Sequence, residues 1–229
     1  MPALVGQLLL IGLIGYLWGS IPAGYWMGKL LKGRDFDIRD YGSHKIGATN
    51  VLRTLGRVPA AIVFVFDLSK GILPTLLATL VPFFYGAGWG PPLAAFLALV
   101  GHCFPVFIGF KGGRGVSTGA GALIIIHPLT FLIGFITTVG TIAISRYVSL
   151  GSILGGVATM ICGIVFALLG WIHIPAMLYM LAAPALVIAL HYDNIGRLLS
   201  GTERKIGQKV KVEGNAGSPS TSATPNVKA

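Results

Sequence analysis

Apolar runs about as long as a membrane is thick recur along this sequence, and they constrain its fold more than any other feature. A helix needs about 20 mainly apolar residues to cross a bilayer, within a range of about 17 to 25. Only 10% of the residues are charged, whereas a soluble domain carries about 25%. The sequence therefore predicts an all-α integral membrane protein, with spans near residues 3–28, 57–80, 92–108, 114–127, 129–145, 150–170 and 173–192.

The pair His127-Pro128 divides a long apolar run, which forms either two short or tilted helices or one kinked helix. The distribution of charge favours two helices over one kinked helix. With seven spans, residues 29–56, 109–113, 146–149 and 193–229 share one side and hold most of the lysines and arginines. The opposite loops, 81–91, 127–128 and 171–173, contain no Lys, Arg, Asp or Glu. We therefore expect a seven-helix transmembrane bundle with some short or broken helices.

The charged side should face the cytoplasm, since positive loops remain inside, and this places the N-terminus outside and the C-terminus inside. The net charge of +10 agrees with this orientation, but it also suits an anionic lipid, a phosphorylated ligand or nucleic acid. Residues 1–212 are predicted to form the membrane domain. Residues 213–229, rich in Ser, Thr, Pro, Gly and Ala, are predicted to form a disordered tail.

Two features fall inside the predicted spans. Asp67 and Lys70 are three residues apart, and we expect them to pair within the bundle because unpaired charges are costly there. Cys103 and Cys162 lie in apolar surroundings far apart in sequence, and we expect both to be buried free thiols.

The first polar segment on the charged side is GSHKIGATNVLRTLG, residues 42–56. Its glycines free the backbone to direct N–H groups at an anion, and the following helix directs its positive end to the same place. A polar loop with a helix cap would have a similar composition. The candidate ligands here are Ser43, Thr49, Asn50 and Arg53.

The second segment, GHCFPVFIGFKGGRGVSTG at residues 101–119, contains a glycine-rich basic turn before a predicted helix. It lacks the G-x-x-x-x-G-K-[ST] pattern of a nucleotide-binding P-loop. The composition is typical of an anion nest at a helix N-terminus, although a tight interhelical turn looks similar. The candidate phosphate ligands are Lys111, Gly112, Gly113, Arg114, Gly115, Ser117 and Thr118.

The third segment, HYDNIGRLLSGTERKIG at residues 191–207, follows the last span. His191 and Asn194 share a helix face, and Asp193 and Arg197 are spaced to pair. A histidine at a helix end is more often structural than catalytic, so the spacing alone does not decide its role. Ser149, in the motif RYVSLGS between two spans, should reach the same cytoplasmic layer.

Cations and hydroxyls from separate segments are thus predicted to meet at one depth of one leaflet, which a phosphorylated ligand explains best. A transporter of organic phosphates would also contain a basic pocket, but it requires polar groups leading to both faces. A structural protein whose cations bind lipid head groups requires neither the glycine-rich turn nor the face shared by His191 and Asn194.

In their order and spacing, the motifs GSHKIGATNVLR, GHCFPVFIGFKGGRGVST, RYVSLGS and HYDNIGRLLSGTE resemble the bacterial membrane-bound acyl-phosphate:glycerol-3-phosphate acyltransferases. The resemblance covers about residues 5–210. It implies a seven-helix enzyme of the bacterial cytoplasmic membrane, with its active site facing the cytoplasm. This family transfers a fatty acyl group from acyl phosphate to the 1-hydroxyl of glycerol 3-phosphate, which gives lysophosphatidic acid for phospholipid biosynthesis.

The motif positions, combined with their chemistry, imply roles for the site residues. Ser43, His191 and Asn194 are expected to orient glycerol 3-phosphate and polarise the acyl carbonyl. Arg53 and Lys111 are expected to neutralise the two phosphates, and N–H groups of the glycine-rich turn to hold the leaving phosphate. The proton of the attacking hydroxyl passes either to His191 or to the donor's own phosphate.

Acyl phosphate is already activated, so the resemblance implies no metal and no other cofactor. The expected partners are glycerol 3-phosphate, fatty acyl phosphate and membrane lipids, with no nucleic acid. The sequence departs from the family at Lys45, where Asn is common, and at Arg114, where Lys is frequent.

Overall fold

The computed structural model describes residues 2–208, and its regular structure over that range is helical. The predicted tail, residues 213–229, lies outside the described residues. Short 3₁₀ turns at Ile38–Asp40, Gly86–Gly88 and Val106–Ile108 connect the α-helices. The α-helices are α1 (Pro2–Gly19), α2 (Ala23–Lys32), α3 (Ala48–Thr54), α4 (Arg57–Leu80), α5 (Pro82–Tyr85), α6 (Gly90–Cys103), α7 (Val116–Ile126), α8 (Pro128–Ser145), α9 (Val148–Leu168), α10 (Ile174–Ala189) and α11 (Tyr192–Leu199).

Five segments are long and apolar enough to cross a membrane, namely Pro2–Lys32, Arg57–Leu80, Gly90–Ile108, Pro128–Ser145 and Val148–Leu168. A sixth candidate is α10 together with α11, which are bent by 59°. The predicted span at 114–127 is the short α7, whose 11 residues extend only about 16 Å, against a hydrocarbon core of about 30 Å. The structure therefore supports a multi-pass membrane protein, while the count of seven spans stays a prediction.

The helix α7 lies directly against α4, and two glycines allow this close approach. A side chain at Gly71 would overlap the carbonyl oxygen of Thr118, and one at Gly121 would overlap that of Leu68. Small residues serve the same purpose in many membrane bundles, because they bring helix backbones into contact. The contact fixes the position of the N-terminus of α7.

The predicted pair of Asp67 and Lys70 is confirmed. The Lys70 Nζ lies 2.6 Å from Asp67 Oδ1, and both side chains are buried. His102 completes the cluster, since its Nδ1 lies 3.4 Å from Asp67 Oδ1. The sequence analysis did not predict this contact, because His102 comes from another helix, α6.

A buried apolar cluster joins α6, α7 and α10, and it includes Leu99, Leu123 and Met180. The two cysteines, Cys103 and Cys162, are buried and free, as predicted. This packing brings the C-terminal end of α10 next to the start of α7, where the polar segments meet.

Candidate active site

A cavity of about 480 Å³ opens where the polar segments meet. Its polar end is lined by three parts of the chain that are distant in sequence, together with the start of α9. Of the predicted site residues, those lining it are Ser43, Thr49, Asn50, Arg53, Arg114, Gly115, Ser117, Ser149, His191 and Asn194. Lys111, Gly112, Gly113 and Thr118 do not line it.

Asn50 organises the loop that precedes α3. Its Nδ2 donates to the carbonyls of Ile38, Tyr41 and Lys45 at 3.1, 3.1 and 2.8 Å, and its Oδ1 accepts from the Ser43 N–H at 3.0 Å. The amide is thus fully used by the backbone. Asn50 therefore holds the loop in the shape that brings Ser43 and Lys45 to the cavity.

Arg53 lies one helical turn further along and points its charge at the same region. One of its nitrogens, Nη2, donates to the carbonyl of Arg204 at 3.3 Å. Burial lowers the pKa of the Arg53 guanidinium, and the nearby charges of Arg204 and Arg197 lower it further, against the opposing effect of Glu203. A bound anion would relieve this cost of holding positive charge away from water.

The first half of the glycine-rich turn, residues 111–113, is bound to the rest of the fold. The N–H groups of Gly112 and Gly113 donate to the carbonyls of Cys103 and His102, each at 3.1 Å. A side chain at Gly113 would overlap the His102 ring. Lys111 is exposed. A phosphate at this half would have to displace hydrogen bonds that already exist.

The second half of the turn, residues 114–118, carries free donors. Gly115 precedes α7 with a φ of +82°, and no side chain caps the helix. The N–H groups of residues 115–118 have no hydrogen-bond partner among the described residues. Unpaired N–H groups and the helix dipole together attract an anion. The Thr118 hydroxyl is not available, because it donates to the Asp67 carbonyl at 2.9 Å.

Arg114 brings a second guanidinium to the cavity. Its Nε donates to the carbonyl of Leu190 at 3.3 Å, which ties the turn to the end of α10. Burial lowers its pKa to about 10, so the group remains charged at neutral pH. The nearby charges of Arg197 and Arg53 also lower this pKa, and Arg53 lines the same cavity.

His191 lies between α10 and α11 and lines the cavity. Its Nδ1 is 2.7 Å from the Val187 carbonyl oxygen, which can only accept. The Nδ1 must therefore carry a proton, and in the neutral ring the lone pair is on Nε2. In this tautomer Nε2 can accept a proton.

Glu203 is the central residue of the C-terminal part of the site, and the sequence analysis did not select it. Its Oε1 accepts from Ser149 Oγ at 2.8 Å and from Asn194 Nδ2 at 2.7 Å, and its Oε2 accepts from Arg197 Nε at 2.7 Å. Burial alone would raise its pKa, but these hydrogen bonds lower it. Arg197 therefore pairs with Glu203 rather than with Asp193. The sequence did contain a signal for Glu203, because this residue is the last one of the motif HYDNIGRLLSGTE.

Asn194 presents an unused acceptor to the cavity. Its Oδ1 is buried and has no hydrogen-bond partner among residues 2–208. The amide cannot be reversed, because Nδ2 faces the carboxylate of Glu203. A buried acceptor without a donor costs about 1–3 kcal/mol, and a ligand hydroxyl would satisfy it.

Most of the remaining lining is apolar. It follows α8 from Phe131 to Ile142, a distance of about 16 Å at 1.5 Å per residue. One face of α7 also lines it, through Val116, Gly119, Ala120 and Leu123. The cavity thus combines a cationic polar end with an apolar channel, which suits a molecule that has a phosphate and a hydrocarbon chain. Among residues 2–208, no group of three or more His, Cys, Asp or Glu side chains is placed to hold a metal ion.

Comparison with known proteins assigns this architecture to a family. The sequence profile described as glycerol-3-phosphate acyltransferase matches residues 9–201. The glycerol-3-phosphate acyltransferase of Desulforamulus reducens is 43% identical over 202 residues, which cover 88% of this chain and 96% of that protein. The enzyme of the same name from Synechococcus elongatus is 40% identical over 205 residues, which cover 87% and 95% of the two chains.

Two crystal structures are similar to most of this chain. Both are of PlsY, an integral membrane glycerol 3-phosphate acyltransferase, one in a glycerol 3-phosphate form and one in a lysophosphatidic acid form. Each is 34% identical to this chain, and each match covers 87% of this chain and 95% of the other. The TM-scores are 0.77 and 0.74.

Proposed function

We propose that this chain, which belongs to the glycerol-3-phosphate acyltransferase family, transfers a fatty acyl group from acyl phosphate to the 1-hydroxyl of glycerol 3-phosphate. The products are lysophosphatidic acid and phosphate. The observation that carries the proposal is the cavity, in which one apolar channel leads to a polar end with two guanidinium groups and a free helix N-terminus. The glycerol 3-phosphate and lysophosphatidic acid forms of PlsY support the acceptor and the product.

The donor lies with its chain along α7 and α8 and its phosphate at the second half of the glycine-rich turn. The apolar face of α7 begins at Val116, next to the free N–H groups at 115–117. A chain in the channel therefore brings the attached phosphate to these donors and to Arg114. Negative charge develops on this phosphate as the acyl–oxygen bond breaks, and preorganised donors stabilise such charge.

The acceptor binds between Arg53 and the residues after α10. Its phosphate pairs with Arg53, because a guanidinium matches phosphate with two parallel hydrogen bonds. A glycerol hydroxyl donates to the free Oδ1 of Asn194. Ser43, Thr49 and Ser149 line the same end of the cavity and orient the remaining oxygens.

In the reaction, the 1-hydroxyl oxygen forms a bond to the acyl carbon, and the bond between that carbon and the phosphate oxygen breaks. The hydroxyl proton passes to His191 Nε2 or to the donor phosphate. Holding both substrates in one water-poor cavity supplies much of the acceleration, because orientation alone can lower a barrier by about 7–11 kcal/mol in favourable cases.

Lys111, Gly112, Gly113 and Thr118 support this site from outside the cavity. Gly112, Gly113 and Thr118 hold the turn and the start of α7 against α4 and α6 through their hydrogen bonds. Lys111 is exposed and precedes Arg114 by three residues, and its charge attracts anionic substrates towards the opening.

The membrane topology that suits this reaction has seven crossings, with α7 as a short fourth crossing, the N-terminus outside and the cavity facing the cytoplasm of a bacterial inner membrane. Single cysteines at Lys32 and Trp171, in a chain without Cys103 and Cys162, test this orientation. A membrane-impermeant thiol reagent added to intact spheroplasts should label the cysteine at 171 and leave the one at 32 unlabelled. The reverse pattern would refute the orientation.

The function is tested with the purified protein, glycerol 3-phosphate and either fatty acyl phosphate or acyl-CoA. We expect phosphate release and lysophosphatidic acid formation with acyl phosphate, and no turnover with acyl-CoA. Turnover with acyl-CoA alone would refute the donor. No transfer from either donor would refute the proposed activity.

A further inference from the structure

Lys45 lines the cavity, but the reaction proposed above does not use it. Its backbone is held firmly, since its carbonyl accepts from Asn50 Nδ2 at 2.8 Å. Its side chain is half-buried, and no carboxylate among residues 2–208 forms an ion pair with it. Lys45 is thus a half-buried cation without a carboxylate partner in the described part of the chain.

The charged side chains that line the cavity indicate which kind of ligand Lys45 would bind. The two carboxylates that line the cavity are already paired, Asp67 with Lys70 at 2.6 Å and Glu203 with Arg197 at 2.7 Å. The three cations that line it, Lys45, Arg53 and Arg114, form no ion pair among the described residues. The cavity lining therefore has three positive charges without a carboxylate partner among the described residues, and an anionic ligand would neutralise them.

Lys45 shares the cavity with the two arginines and with the start of α7. All three cations line it, together with Gly115, Val116 and Ser117. The N–H groups of these three residues have no hydrogen-bond partner among residues 2–208. Three cations and a free helix N-terminus thus line the same cavity, and both attract an anion.

We infer that Lys45 is a substrate-binding residue that holds a phosphate dianion in this cavity, in addition to Arg53 and Arg114. The inference rests on the proposed function, in which both substrates carry a phosphate. Each phosphate carries about −1.5 to −2 charges at neutral pH, so two guanidinium groups neutralise only about half of the total. The dianion on Lys45 belongs to either glycerol 3-phosphate or acyl phosphate, and the kinetics below distinguish them.

The test compares Lys45→Met, which removes the charge, with Lys45→Arg, which keeps it, and with Lys32→Met as a control cation outside the cavity. We expect Lys45→Met to raise the KM of one substrate about tenfold while kcat changes less than about threefold. Lys45→Arg should recover most of the loss, and Lys32→Met should behave as wild type. A higher KM for glycerol 3-phosphate assigns the dianion to the acceptor, and a higher KM for acyl phosphate assigns it to the donor. Unchanged KM values for both substrates would overturn the inference.

Calorimetric titration of glycerol 3-phosphate and of inorganic phosphate tests Lys45 without turnover. Wild type should bind at least one of them about tenfold more tightly than Lys45→Met does, and equal affinities for both would count against the inference. If phosphate binding depends on Lys45 but the wild-type protein transfers no acyl group, the proposed function is refuted and the phosphate-binding role of Lys45 is not. If Lys45→Met does not purify as a folded protein, Lys45→Cys replaces it, since the native cysteines are buried. Alkylation with bromoethylamine should then restore phosphate affinity, and alkylation with iodoacetamide should not.

Discussion

The two halves of the glycine-rich turn look alike in sequence, yet the structure uses them differently. In the first half, residues 111–113, the glycine N–H groups donate to the end of α6 and the lysine is exposed. In the second half, residues 114–118, the N–H groups from Gly115 onwards are free and the arginine is partly buried in the cavity. The first half positions the turn, and the second half is available to a phosphate.

The comparison shows that glycine can serve two purposes within a few residues. Gly113 is required because the His102 ring occupies the space of a side chain. Gly115 is required because its φ of +82° suits glycine and turns the chain into α7. Substitutions in the first half should therefore lower the stability of the fold, whereas substitutions in the second half should lower activity in protein that still folds.

The largest effect is expected from Gly113→Ala. Its methyl group would overlap the buried His102 ring beside the cluster of Asp67 and Lys70, so we expect little folded protein in detergent by size-exclusion chromatography. Gly140→Ala is the matched control, because nothing lies near that position and alanine favours a helix. Folded Gly113→Ala protein with normal stability would show that the first half does not anchor the turn.

Arg114→Met should give the next largest effect, in protein that still folds. The cavity would lose one of the three lining cations that form no ion pair among residues 2–208. We expect kcat/KM to fall about a hundredfold, or about 2.7 kcal/mol of transition-state stabilisation. Thermal unfolding in detergent checks that the fold is intact. A loss smaller than threefold would mean that the second half of the turn does not hold substrate.

Glu203→Gln should weaken both stability and activity, since Glu203 joins α9, α11 and the C-terminal segment. We expect kcat/KM to fall about tenfold. The pKa of Glu203 is lowered from its ordinary value of 4.5, so its stabilisation is present above that pH and is lost as the pH falls through the lower folded value. The difference in Tm between wild type and Glu203→Gln should therefore narrow as the pH is lowered below about 4.5. A constant difference from pH 7 to pH 3.5 would contradict the role of the charge.

Lys111→Met should give the smallest effect of this series. Lys111 is exposed and does not line the cavity, so we expect kcat/KM to fall by about threefold or less, mainly through weaker attraction of anions at low salt. The measurement is the same assay at low and high ionic strength. A loss as large as that of Arg114→Met would show that Lys111 reaches the substrate and that the two halves share one role.

The sequence predicted the membrane class, the helical fold, the pair of Asp67 and Lys70 and the family, because each depends on local pattern or motif order. It did not predict the roles of His102 and Glu203, whose partners come from other helices. The sequence also did not predict that Gly113 and Gly115 have different roles, because these roles depend on hydrogen bonds and on φ, which are properties of the folded chain. The predicted span at 114–127 begins two residues before α7, because Arg114 and Gly115 belong to the turn and the positive φ of Gly115 is not helical.

A crystal structure with glycerol 3-phosphate and a non-hydrolysable acyl phosphonate tests the central claim most directly. We predict the phosphonate oxygens about 3 Å from the backbone nitrogens of residues 115–117, with Arg114 in contact and the chain along α8. A phosphonate bound at Lys111, Gly112 and Gly113, outside the cavity, would contradict the account.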